Sequence, residues 1–145
     1  MFTKKTIFNL TLIFSIIITG FVFANTKELQ FIADKKVVNK GEKVCFLLKN
    51  NSKKEIVLPN SAPWVVISLS GRNEGKVVYS PIATLSLQKV PPNSEKKWYW
   101  DLKNFEGDYV HSGKYKVRLT VFINGKREFL STEIEVKAKI VKLNK

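Results

Sequence analysis

From residue 28 onward, apolar positions recur with a period of two, and no window shows the spacing of a helix face. Leu29, Phe31 and Ala33 fall on one side of a first strand, and Lys40-Gly41 marks a turn. In residues 42–50, Val44, Phe46 and Leu48 share one face, while Lys43, Cys45, Leu47 and Lys49 share the other. Asn-Asn-Ser-Lys-Lys at 50–54 reads as loop. Short strands are expected at 55–58 and 64–69, broken by Pro59 and Pro63, because proline has no N–H to give a ladder. A turn over 71–75, a strand at 76–79 and, after Pro81, a strand at 82–90 complete the first two thirds.

Pro91-Pro92-Asn93 forms the next turn and leads into a strand at 94–101, with Trp98 and Trp100 on one side and Tyr99 on the other. A connection through Gly107 and Gly113 enters the clearest strand, 114–123, where Tyr115, Val117, Leu119, Val121 and Ile123 oppose Lys116, Arg118 and Thr120. Asn124-Gly125 is the pair a type I′ hairpin turn requires, since both central residues need positive φ. The returning strand then carries Leu130, Thr132, Ile134, Val136, Ala138 and Ile140 inward. Seven to nine short strands with turns between them predict an all-β fold, an antiparallel sandwich with a closed barrel as the alternative. Residues 142–145 are expected to fray. No repeat or second domain is visible.

The N-terminus changes the picture of where this domain works. Lys4 and Lys5 precede an uncharged stretch from 7 to 23 and the sequence Val22-Phe23-Ala24, the layout of a signal peptide over 1–24. Export to the periplasm or the exterior is expected, with a sandwich domain over 25–145. An uncleaved signal anchor is the alternative, and the only membrane attachment the sequence offers. Removing residues 1–24 takes away two lysines and no acids, so the formal charge goes from +13 on 145 residues to +11 on 121.

Candidate chemistry is sparse. One Cys closes no intrachain disulfide, and one Cys with one His makes no four-ligand structural zinc site unaided. Nucleophilic triads would have to run through His111 alone, and that residue sits in a polar loop beside Asp108 and Ser112. Cys45, between Val44 and Phe46, reads as a small buried hydrophobe. Asp101, Glu106, Asp108 and Asn104 match no calcium-loop spacing, and Asp101 reads as an acceptor of turn hydrogen bonds. Trp98 and Trp100 read as core, whereas Trp64, at a strand entrance after Pro63, is expected to reach solvent more readily. No enzyme, cofactor or metal is expected.

Gly113 and Tyr115, one residue apart at a strand entrance, allow a sharp turn with the phenol folded back over the preceding connection. That is the tyrosine corner of immunoglobulin-like sandwiches. Trp98-Tyr99-Trp100-Asp101, Gly107, Val110, Gly113, Lys114 and Tyr115, together with Val44, Phe46, Leu48 and Asn50, resemble the BsuPI-type family of bacterial immunoglobulin-like domains, named for an intracellular proteinase inhibitor. The resemblance spans roughly residues 29–138, with His111-Ser112 where the family usually has proline before the glycine. It implies an immunoglobulin-like sandwich in which Trp98, Trp100, Asp101, Gly107, Gly113 and Tyr115 are structural, as Asn124 and Gly125 are in the hairpin. It also implies protein binding, with proteinase inhibition as the narrower expectation.

The expected function is therefore a non-enzymatic, exported module that binds another protein through a sheet edge or loops. The candidate loop residues are Asn60, Ser61, Trp64, Arg72 and Asn73, and under the inhibitor reading residues 60–64 or 71–75 enter a protease cleft. The alternative is an envelope protein that binds a polyanion such as wall polymer, nucleic acid or anionic lipid. Its support is the charge. Against it, the lysines are spread over nearly every segment, arginine occurs only at 72, 118 and 127, and no nucleic-acid motif is present.

Overall fold

The computed structural model describes residues 28–139. The signal peptide expected at 1–24, the inward Ile140 and the tail at 142–145 lie outside them. Ten strands form: β1 (Leu29–Ala33), β2 (Val37–Asn39), β3 (Val44–Asn50), β4 (Ile56–Leu58), β5 (Trp64–Ser68), β6 (Val77–Tyr79), β7 (Gln88–Val90), β8 (Ser94–Trp100), β9 (Gly113–Ile123) and β10 (Lys126–Lys137). The only helical turn among the described residues is a 3-10 turn at Gly71–Asn73.

The strands make a β-sandwich. One sheet has the order β1-β3-β8; the other runs β2-β10-β9-β4-β7, with β5 also paired to β9 and β6 to β5. The count exceeds the expected seven to nine because the first extended segment divides between the sheets. β1 pairs with β3, and β2 crosses to lie parallel to β10, the one parallel pairing among the described residues. Asp34 makes the crossing possible: its N–H donates to the Cys45 carbonyl and its carboxylate accepts the Cys45 N–H, each at 2.9 Å.

Period-two alternation fixes the core. Val44, Phe46 and Leu48 of β3 and Trp98 and Trp100 of β8 turn inward against Trp64 and Val66 of β5 and Tyr115, Val117, Leu119 and Val121 of β9, and all are buried. Contacts between the layers are aromatic: Phe46 meets Trp64 with ring centroids 5.3 Å apart, and Trp100 meets Tyr115 edge-on at 6.0 Å. Each fully buried side chain of this kind contributes about 1.5–3 kcal/mol. The hairpin of β9 and β10 turns at Asn124 (φ 51°) and Gly125 (φ 75°), the two positive values that its turn type demands.

Buried polar groups tie the sheets where strands end. Asn50, fully buried at the end of β3, donates through Nδ2 to the carbonyls of Lys54, Val90 and Pro91. Its Oδ1 accepts the N–H and hydroxyl of Ser52. One amide thus satisfies the loop after β3 and the turn before β8 together, which is why a fully buried position here is polar.

Two expectations fail at strand ends. Residues 82–87 are not a strand, since only Gln88–Val90 pairs, with β4. Ile82, Leu85 and Leu87 are exposed, and their spacing of three and then two places them on no single strand face. Ala138 is exposed because β10 ends at Lys137.

Candidate functional site

The corner built by Gly113 and Tyr115 frames one end of the sandwich. The Tyr115 hydroxyl donates to the His111 carbonyl at 2.6 Å, and burial pushes its pKa up. Gly113 sits at φ 154°, and a Cβ there would stand 2.5 Å from the Ser70 hydroxyl, so the strand entrance needs glycine. Trp100 closes the same corner by donating its indole N–H to the Lys103 carbonyl at 2.8 Å. Asp101 Oδ1 accepts the Lys103 N–H at 3.2 Å, the turn role expected of it. Gly107 closes the following turn, its N–H donating to the Asn104 carbonyl at 3.2 Å.

Beside this corner lies a cleft of about 380 Å³ whose lining includes Asn73, Lys76, Asn104, Asp108, Tyr109 and His111. His111 is exposed. The Asn104 side-chain oxygen accepts the N–H groups of Glu106 and Asp108 and so is spent on the turn. Among the described residues no three His, Cys, Asp or Glu side chains converge on a point that would hold a metal ion. Arg72 and Asn73 stand exposed on the 3-10 turn.

The other candidate loop is not free. Trp64 is 2% exposed and packs between Phe46 and Tyr79, which corrects the expectation that it reaches solvent. The alternation of β5 explains it: Trp64, Val66 and Ser68 face inward, and Pro63 fixes only the approach. Its indole N–H is buried without a partner. Asn60 and Ser61 are half-buried and committed. Asn60 Oδ1 accepts the Ala62 N–H, the Ser61 carbonyl accepts the Trp98 indole N–H, and the Ser61 hydroxyl accepts the Thr84 N–H, all at 2.9 Å. Cys45 is half-buried, not buried, because it lies on the outer face of β3 opposite Val44 and Phe46.

An open main-chain edge lies along β8. It pairs on one side only, with β3, in the register Val44↔Trp100, Phe46↔Trp98 and Leu48↔Lys96. The Cys45 carbonyl points to β1, where it accepts the Asp34 N–H. Main-chain groups reverse direction at each residue of a strand, so those of Val44, Phe46 and Leu48 point to β8. Lys96, Trp98 and Trp100 therefore face β3, and Glu95, Lys97 and Tyr99 direct their N–H and C=O groups outward over an open edge. The side chains of these three are exposed, Tyr99 at 63%. Ser61, bonded to both Trp98 and Thr84, brings the exposed apolar segment of residues 82–87 near this edge. The outward aim of Tyr99 is readable from alternation; the open edge is not, because it depends on which strand stands beside β8.

No protein-family model and no curated protein matches the sequence. Among solved structures, the chain is similar to Pseudomonas fluorescens alkylpurine DNA glycosylase AlkC bound to DNA containing an abasic-site analogue, with a TM-score of 0.47 and 15% identity over 77% of this chain and 31% of that one. It is also similar to a human ASH/PapD-like domain, with a TM-score of 0.38 and 12% identity over 79% of this chain and 87% of that one. For Listeria innocua β-glucosidase in complex with glucose the values are 0.39 and 16%, over 79% of this chain and 16% of that one. The chain spans under a third of the glycosylase and about a sixth of the glucosidase.

Proposed function

We propose that this protein is an exported, non-enzymatic, immunoglobulin-like module that binds another protein by taking one of its extended segments alongside β8. The observation that carries the reading is the seven-residue edge strand whose outward main-chain groups, at Glu95, Lys97 and Tyr99, meet no partner among the described residues. Strand addition supplies main-chain hydrogen bonds for affinity, and side chains at alternate positions select the partner. Tyr99 gives a large amphipathic contact, and Lys97 and Glu95 keep the edge from pairing with another copy of itself. Proteinase inhibition is the narrower form of this reading, with the exposed turn of Arg72 and Asn73 as the element that enters the cleft.

Lys97→Pro tests the edge directly. The Lys97 N–H faces away from β3, so proline there removes an outward donor and leaves the ladder to β3 intact. The expected result is a protein with a nearly unchanged thermal midpoint that no longer retains, at either low or high salt, the envelope protein retained by the wild type. Retention equal to that of the wild type overturns the edge reading. Retention that disappears with salt in both proteins, with nucleic acid or wall polymer recovered, favours the polyanion alternative instead.

A further inference from the structure

The outer face of the opposite sheet carries a groove of about 390 Å³, where β9 and β10 run beneath the loops that lead into and out of β5 and β6. Its working surface is Arg118 and Phe122 of β9, Arg127 and Phe129 of β10, and Pro63 and Val65 at the entrance to β5. Two of the three arginines in the chain meet here, and no Asp or Glu lines the groove. Among the described residues neither guanidinium is paired with a carboxylate; the ion pairs present use Lys35, Lys49 and Lys89. Phe129 is 55% exposed, and the Arg118 guanidinium lies over its ring at 4.8 Å, which holds that planar fork in place.

We infer that this groove binds an extended acidic peptide, with carboxylates four residues apart and an apolar side chain midway between them. The spacing comes from the hairpin register. Arg118 stands opposite Ser131, Thr120 opposite Phe129 and Phe122 opposite Arg127, so the two arginines lie four strand positions apart with Phe129 between them. The two arginine side chains thus leave the backbone about 14 Å apart along the strands, the separation of residues i and i+4 in an extended ligand, and the Arg118 fork leans inward from its origin over Phe129. Each guanidinium offers a fork that fits a carboxylate, and Pro63, Val65, Phe122 and the part of the Phe129 ring that Arg118 leaves uncovered accept an apolar group. A nucleic-acid strand carries a phosphate at every residue and would meet only two cations separated by apolar surface. The groove and the β8 edge belong to different sheets, so the two readings stand or fall separately.

The test uses the purified full chain and fluorescent peptides followed by anisotropy. The probe is Ser-Glu-Thr-Leu-Thr-Glu-Ser; the controls are its double-Gln counterpart and a single-stranded oligonucleotide. The acidic peptide should bind about tenfold more tightly than the Gln peptide, and Arg118→Gln and Arg127→Gln should each weaken it by about tenfold. Lys53→Gln, an equal charge change on a loop away from the groove, should alter affinity by less than about twofold. Should a Gln variant lower the thermal midpoint, Arg118→Lys and Arg127→Lys keep charge and stem but lose the fork, and should still weaken binding. Equal binding of the two peptides, equal effects at Lys53 and the arginines, no binding at millimolar peptide, or preference for the oligonucleotide each overturns the inference.

Discussion

β9 and the segment at 82–87 are both rich in apolar side chains, yet one forms the spine of the sandwich and the other lies open to water. In β9 the apolar residues recur at every second position, β10 flanks it in register along its whole length and β5 from Tyr115 to Leu119, so its inward row is buried together. In the segment, Ile82, Leu85 and Leu87 share no face, and the chain is held only at points such as the bonds between Ser61 and Thr84. Apolar content alone is therefore a poor guide to burial; periodicity with a partner on each side decides it. The same contrast locates function. β9 lies between β10 on one side and β5 and β4 on the other, whereas β8 ends its sheet on an open edge beside the exposed segment.

The contrast is easiest to break at its strongest point. Leu119→Ala in the centre of β9 should cost about 2–5 kcal/mol, read by chemical denaturation. A cost no larger than that of a surface change would mean that β9 is not the spine. Asn50→Ala comes next. It removes the amide N–H groups, one of them shared, that reach the carbonyls of Lys54, Val90 and Pro91 and join β3 to the loops beside β4 and β8, and it should cost about 2–3 kcal/mol because carbonyls lose their partner.

Tyr115→Phe deletes the single bond to the His111 carbonyl and should cost about 1 kcal/mol. It should also change the response to alkali. Burial raises the Tyr115 pKa above its usual value of about 10, so the unfolded chain gives up this proton first. Stability is fully present below that pH and is lost as the pH rises through the raised value; the phenylalanine variant should lose less. Tyr79, raised by burial and by Asp101, leaves part of the slope in place. The smallest effect belongs to the other side of the comparison. Leu85→Ala should change stability by less than about 0.5 kcal/mol, and a larger loss would show that residues 82–87 pack against something.

Much of this architecture was legible in the residues themselves. Alternation placed Val44, Phe46, Trp98, Trp100 and the inward row of β9 correctly, Asn124-Gly125 announced the hairpin, and Gly113 with Tyr115 announced the corner. What failed shares a physical reason: the outcome depended on neighbours that no local pattern specifies. Trp64, at a strand entrance after Pro63, was expected to reach solvent, yet the alternation of β5 turns it into the core. The strand expected at 82–90 kept only its last three residues, because among the described residues no strand runs beside the rest. β2 is short and joins β10 in parallel, a pairing set by where the chain crosses between sheets. For the same reason the open edge of β8 and the meeting of Arg118 with Arg127 on one groove became visible only in three dimensions.

Amide hydrogen exchange along β8, resolved residue by residue by NMR, tests the central claim most directly. With β3 on one side and an open edge on the other, protection should alternate. The N–H groups of Lys96, Trp98 and Trp100 should exchange slowly, and those of Lys97 and Tyr99 should exchange fast in the free protein. Slow exchange at Lys97 and Tyr99 would mean that the edge is already covered, and would contradict a role for β8 as the place where a partner strand is added.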